Sequence, residues 1–323
     1  KYTDGGLTKP LAPMTNGILT LYVNGATGDN NNNGLTSGTP VQTIQKAVDL
    51  VPPIVRHAVT IDVYPKDGSY VFRDPGATNI NVYVAGKFVA ANASITFLGD
   101  QTTPSNVRVA GSAAGTDTTP SRQYGFFISG VKNVAIKGFL CNYFSVSGIQ
   151  YREYASGSPA NCISSNNTGC GIAYDVFSRG WPNTCTMNNN AYGLLANSGS
   201  SVNPAFCTAN NNTSDGFRVQ YQCDSYINTC TANSNYLNGV VVGYSSGVNI
   251  VNSSFSLNGT TGSGWGYGIY YALNAVGSAS NCGSPSGNNQ SGGLRVEIGS
   301  RVDYTTPLPN ANNVTASASS EAW

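Results

Sequence analysis

From residue 148 to residue 296 the chain repeats itself. Seven segments begin with Gly and carry apolar residues at the next and third positions, apart from one Ala. They are Gly148-Ile149-Gln150-Tyr151, Gly171-Ile172-Ala173-Tyr174, Gly193-Leu194-Leu195-Ala196, Gly216-Phe217-Arg218-Val219, Gly239-Val240-Val241-Val242, Gly268-Ile269-Tyr270-Tyr271 and Gly293-Leu294-Arg295-Val296. The Gly-to-Gly spacing is 23, 22, 23, 23, 29 and 25 residues. A period in the low twenties marks a solenoid, because no single unit can bury its own apolar face. Short runs rich in Val, Ile, Tyr and Phe, bounded by Gly, Asn and Ser, read as strands. Each coil therefore holds about three short strands, and like stacks on like at about 4.8 Å per coil. The prediction is an all-β parallel β-helix with two interior ladders. One is Ile149, Ile172, Leu194, Phe217, Val240, Ile269 and Leu294. The other is Tyr151, Tyr174, Ala196, Val219, Val242, Tyr271 and Val296.

A Cys follows fourteen residues after the first four glycines: Cys162, Cys185, Cys207 and Cys230. Ser253 and Cys282 take that slot in the next two coils, and Cys141 is placed one coil earlier. In-register neighbours point their Cβ atoms in parallel, which is poor disulfide geometry, so these read as buried thiols. Cys170 and Cys223 fall outside the column and read as half-exposed. With one His and no Cys-x-x-Cys pair, no zinc site is expected, and no cofactor is called for. Asn188, Asn210 and Asn233, three residues past their Cys, predict Asn side chains stacked at a turn.

Charged residues make up 10% of the chain and the balance is +1, which argues against nucleic acid or an anionic membrane as partner. No apolar run reaches 18 residues, so no membrane insertion is expected. The expected organisation is an extended leader over 1–20, a first strand and capping helix over 21–57, the β-helix over 58–304 and a linker or cap over 305–323. Trp323 reads as a point from which the natural chain continues. In the capping segment Val41, Ile44, Ala47 and Val48 share a helical face, with Thr39 as N-cap, Pro40 at the first helical position and Pro52 as the stop. From 58 to 304 there is room for ten or eleven coils, including irregular early ones at 59–64, 80–84, 94–99, 107–109, 125–128 and 131–137, with surface loops at 101–104 and 115–121.

The stretch Tyr22-Val23-Asn24-Gly25-Ala26-Thr27-Gly28-Asp29, the loop Gly34-Leu35-Thr36 and the segment Thr39-Pro40 through Ala47-Val48 resemble the N-terminal module of pectate-lyase-like right-handed β-helix proteins. The wording is most similar to that of bacteriophage and prophage tailspikes and tail fibres. The match is close over about residues 21–52 and architectural beyond. The resemblance implies a right-handed parallel β-helix. It implies the receptor-binding or depolymerase part of a tailspike or tail fibre, carried on the virion and acting outside the cell on a bacterial surface polysaccharide, and it implies a homotrimer. A secreted bacterial polysaccharide lyase or glycosidase is one alternative. A glycan-binding fibre that cuts nothing is another.

In each repeat the second and fourth residues after the Gly point outward. The outward set holds Arg152, Asp175 and Arg218, and beside it run Glu153, Tyr154, Phe177, Arg179, Trp181, Tyr221, Asp224 and Tyr244. Ring faces stack on pyranose faces and carboxylates do acid/base work, so this mixture suits a sugar groove. The plainer reading is an Arg152–Asp175 surface salt bridge and aromatics packed under turns or against a neighbour. A hydrolase needs two carboxylates: Glu153 with Asp175 is the expected pair, with Asp224 as substitute. A lyase needs a base and cations, for which Arg152, Arg179 and Arg218 are at hand but no Lys is expected on this face. Hydrolysis is favoured over elimination, and whether any bond is cleaved stays open. His57 lies beside the cap and reads as packing, and no acidic calcium cluster is visible.

Overall fold

The computed structural model describes residues 2–4, 7–9, 12–73, 79–112, 120–259, 266–283, 289–297, 299–305, 314–316 and 321–322. Three parallel sheets run along a solenoid. One has twelve strands, one has ten and one has four. Single parallel bridges extend the four-stranded sheet through Thr186, Thr208, Thr231 and Ser254. One coil shows the path. Strand Ser147–Arg152 belongs to the ten-stranded sheet, Ser156–Ala160 to the twelve-stranded sheet and Ile163–Ser165 to the short sheet. The chain then returns as Cys170–Asp175, directly beside Ser147–Arg152. Ten strands of the twelve-stranded sheet lie between Val59 and Tyr304, one per coil.

The register is the predicted one. Ile149 pairs with Ile172, then Leu194, Phe217, Val240, Ile269 and Leu294, and all are fully buried. The second ladder follows the same pairings, and the rings of Tyr151 and Tyr174 stack with centroids 4.9 Å apart. Their buried hydroxyls donate to the carbonyls of Val134 and Gly157, at 2.9 and 3.0 Å. The repeating Gly is steric in origin: a Cβ at Gly193 would lie 2.6 Å from the Ala209 methyl.

The thiol column stands, free and buried, at Cys162, Cys185, Cys207 and Cys230. Cys141 is not part of it. It pairs with Ser164, so Phe139 takes the slot before Cys162. Cys170 and Cys223 are buried, not half-exposed. Cys170 sits on the outer side of the ten-stranded sheet, where Gln150, Ala173 and Val241 are also buried although they point outward. The predicted Asn stack is present: Asn210 N donates to Asn188 Oδ1 and Asn233 N to Asn210 Oδ1, each at 2.8 Å. A second ladder, Asn167, Asn190, Asn212, Asn235, Asn258 and Asn289, is buried, and the backbone N–H of each of the first five donates to the side-chain oxygen of the next Asn at 2.9–3.0 Å. These amides satisfy turn donors that water cannot reach.

The helix runs Ile44–Leu50 and not from Pro40. Thr43 is the N-cap, its hydroxyl accepting from Lys46 N at 3.1 Å. Val41 instead bridges to Val23. Ile44, Ala47 and Val48 are buried against strands Leu19–Asn24, Val59–Tyr64 and Ile80–Val84, the first strands of the two long sheets. The segment expected to be an extended leader contains an antiparallel pair, Tyr2–Asp4 with Leu7–Lys9. Near the C-terminus, Val314–Ala316 and Glu321–Ala322 extend the two long sheets by a further strand each, where no strand was expected. Residues 115–119 of one expected loop, and Trp323, lie outside the described residues.

Candidate functional site

Between the ten- and twelve-stranded sheets six successive coils turn through two consecutive left-handed residues. The pairs are Glu153-Tyr154, Val176-Phe177, Ser198-Gly199, Tyr221-Gln222, Tyr244-Ser245 and Leu273-Asn274. For residues with a Cβ this conformation costs about 1–2 kcal/mol each. Stacking of identical turns sustains it: Tyr154 N donates to Val176 O, Phe177 N to Ser198 O and Gln222 N to Tyr244 O. The turn throws its side chains into solvent. Tyr154 and Phe177 stack with centroids 5.4 Å apart, Tyr221 and Tyr244 at 4.3 Å, and all four are exposed. Gly199, at φ +72°, takes the coil above Phe177, and a Cβ there would come within 2.5 Å of the Phe177 ring. Gly199 thus leaves room for that ring.

Beside this turn, on the outer face of the twelve-stranded sheet, lies a groove of about 490 Å³. Tyr154, Phe177, Arg179 and Trp181 line it, with Lys132, Asn133 and Ser156. Strand pairing sets Arg179 beside Ser156. Four of the residues singled out in the sequence therefore meet in one place. Lys132 was missed: it lies in the segment read as the strand 131–137, but the strand begins at Val134 and Lys132 belongs to the turn before it. The expectation of no Lys on this face is corrected by it. Among the described residues that line the groove there is no carboxylate.

The other candidates sit around the groove or away from it. Arg152 and Asp175 are paired across neighbouring strands, with Nε 3.9 Å from Oδ2. At that distance, with the Arg side chain 41% exposed, the pair contributes under about 1 kcal/mol. Asp175 Oδ1 accepts from Val176 N and from Asn197 Nδ2, both at 3.0 Å. Three partners thus hold this carboxylate at the sheet edge. Glu153 is exposed at the turn and accepts from the Ser129 hydroxyl. Arg218 is not brought to the groove. Its Nη1 lies 3.1 Å from the buried carboxylate of Asp215, and its guanidinium lies over the Tyr192 ring, 5.3 Å from the centroid. Burial pushes the Asp215 carboxyl above its usual range, and Arg218 opposes that. Arg218 is there to balance Asp215, which also accepts from Asn238 N and Nδ2 at 3.0 Å. Tyr221 and Tyr244 lie further up the same turn column, and Asp224 lines a second depression with Asn203, Tyr226 and Asn249. His57 Nδ1 is 3.0 Å from Thr15 O and 3.2 Å from Thr15 Oγ1, at the N-terminal end of the solenoid.

Residues 124–283 match a family model described as a right handed beta helix region. The chain is a right-handed parallel β-helix. At this level of fold the resemblance to pectate-lyase-like β-helix proteins holds. A solved rhamnogalacturonan lyase is similar to this β-helix over 94% of the chain and 87% of its own, with 16% identity and a TM-score of 0.53. A pectate lyase, Pel9A, aligns over 95% and 77% with 19% identity and a TM-score of 0.39. The tailspike protein gp49 from Acinetobacter baumannii bacteriophage Fri1, titled a capsular polysaccharide depolymerase, aligns over 94% and 63% with 12% identity and a TM-score of 0.45. No curated protein sequence matches the β-helix. Among its described residues, no helix is long and apolar enough to cross a membrane and no cluster of His, Cys, Asp and Glu is placed to hold a metal ion.

Proposed function

We propose that this β-helix is the glycan-binding rod of a phage tailspike or tail fibre, carried as a homotrimer on the virion, and that its ligand is a bacterial surface polysaccharide. The observation that carries the reading is the groove at Tyr154, Phe177, Trp181, Arg179 and Lys132. Its three rings are exposed and lie beside two cations. Exposed rings cost the protein apolar surface in water, and sugar ring faces cover such surface while leaving their hydroxyls wet. The tailspike assignment rests on the resemblance of residues 21–52. The rhamnogalacturonan lyase that shares the fold is itself named for a polysaccharide, which agrees with the reading.

Cleavage is the second part of the proposal and its chemistry is that of Glu153, with Asp175 or Asp224 as partner. Glu153 is the exposed acid nearest in sequence to the groove. Asp175 accepts from Val176 N and Asn197 Nδ2, which fixes its oxygens at the edge of the same turn. The absence of a carboxylate among the described groove-lining residues favours the other reading, a fibre that binds without cutting. Incubation with a panel of capsule and O-antigen polysaccharides separates the cases. New reducing ends alone are the expected product of a hydrolase and should vanish in Glu153→Gln. New absorbance near 235 nm denotes a lyase. Retention of a polysaccharide with neither signal denotes the binding rod, and retention of none contradicts the glycan reading.

A further inference from the structure

The outer face of the ten-stranded sheet carries none of the residues that line the groove. Its central outward column runs Phe127, Gln150, Ala173, Leu195, Val241 and Tyr270 by direct strand pairing, with Arg218 before Val241 and Arg295 after Tyr270. Gln150, Ala173 and Val241 are buried, and Phe127, Leu195 and Tyr270 are half-buried. None of these six projects far into solvent, so the face is flat. The twelve-stranded sheet differs: its outward Trp181, Asp224 and Tyr226 are all exposed.

Both charges in the column are answered inside the chain. Arg218 reaches the Asp215 carboxylate at 3.1 Å and the Gln220 side-chain oxygen at 3.0 Å. Arg295 reaches Glu297 through Nη2 at 2.7 Å and Nε at 3.1 Å. Each guanidinium lies over a Tyr ring of the coil before, Tyr192 at 5.3 Å and Tyr267 at 5.1 Å from the centroid. The two Arg side chains are thus laid along the sheet, each only 25% exposed.

We propose that this face is the surface on which three copies of the chain meet, about an axis parallel to the rod. The proposal rests on the homotrimer reading above and names the surface that forms it. About such an axis every residue meets its own copies at the same height. A charge without a partner would face itself there, and both Arg residues of the column are already paired. The dimensions agree. Strands of five or six residues make a sheet about 17–20 Å wide. Three such sheets around a threefold axis each lie about 5–6 Å from it, near half the roughly 10 Å that separates packed sheets. Side chains therefore fill the centre. Ten strands run about 45 Å, so each chain covers about 800 Å², as much as one partner of a standard interface. The groove lies across the turn on the other sheet and stays open to solvent.

The test is light scattering of the full chain at micromolar concentration, with circular dichroism to check the fold, on the native chain, Leu195→Lys and Tyr226→Lys. Leu195 points outward from the middle of the column, so Lys there sets three like charges together at the axis. Tyr226 lies on the other sheet and serves as the control. The native chain and Tyr226→Lys are expected at three times the 33.6 kDa chain mass, and Leu195→Lys at the chain mass with an unchanged spectrum. If Leu195→Lys loses the β spectrum, Leu195→Cys decides under mild oxidation, since the eight native thiols are buried. A doubled band on a non-reducing gel supports the face, and no such band overturns it. A trimer that persists in folded Leu195→Lys, or that is lost equally in Tyr226→Lys, overturns this face and leaves the homotrimer standing. A monomeric native chain overturns both.

Discussion

At Gly199 the backbone sits at φ +72° with the Phe177 ring against it. Replacing Gly199 by Ala adds a methyl where the ring lies and puts a Cβ into a left-handed position costing about 1–2 kcal/mol. The expected result is a lowered unfolding midpoint together with weakened ligand binding, because the ring must move. Binding unchanged at a lowered midpoint would remove Phe177 from the groove's working parts. The buried thiols give a second test at this scale. Burial pushes Cys170 up to about 12 and Cys223 and Cys282 to about 11 from an ordinary value near 9. The unfolded chain releases these protons first, so the stability they hold is complete below about pH 9 and is lost as pH rises towards 11–12. Urea midpoints should be level with respect to these groups up to pH 9 and fall beyond it, and all eight thiols should react with a thiol reagent only after unfolding. Midpoints that stay level through pH 11, or fast labelling of the native chain, would contradict the burial.

At the scale of elements, the buried Asn ladder ties coil to coil. Asn212 Oδ1 accepts from Asn190 N at 2.9 Å, and its Nδ2 donates to Asn235 Oδ1 at 2.9 Å. Asn212→Ala leaves a buried N–H without an acceptor, so a loss of roughly 1–3 kcal/mol is expected by denaturant unfolding. A loss under a few tenths would mean that the ladder is incidental. This ladder also shows where the sequence stopped being legible. In Asn188-Asn189-Asn190 and Asn210-Asn211-Asn212 three consecutive Asn residues do different work. The first stacks at the rim, the middle one takes a left-handed φ of 58° or 56°, and the last is buried. Composition cannot rank three identical residues, so only the first column was read. The helix start failed for a similar reason. Thr39 and Thr43 are both competent caps, and the bridge from Val41 to Val23 decided between them. Where one residue type at one spacing has one solution, as in the Gly-apolar repeat, the register followed directly.

At the scale of the molecule, stacked coils make a rod whose working surface is shared by a turn and the sheet after it. The repeat revealed which residues point outward but not how neighbouring sheets are angled about the turn. Arg218 and Trp181 both point out of the rod, yet only Trp181 lies in the groove. Lys132 escaped notice because its coil precedes the regular repeat. The proposed homotrimer is tested at this scale too. Light scattering of the full chain at micromolar concentration is expected to give three times the 33.6 kDa chain mass, and a monomer would count against that assembly. Whether the groove holds a glycan is decided by retention of capsule and O-antigen polysaccharides on the native chain beside Trp181→Ala. The expected result is retention of at least one polysaccharide, lowered about tenfold or more in the variant, as loss of a stacked ring implies. Equal retention by both chains, or none by either, would contradict it.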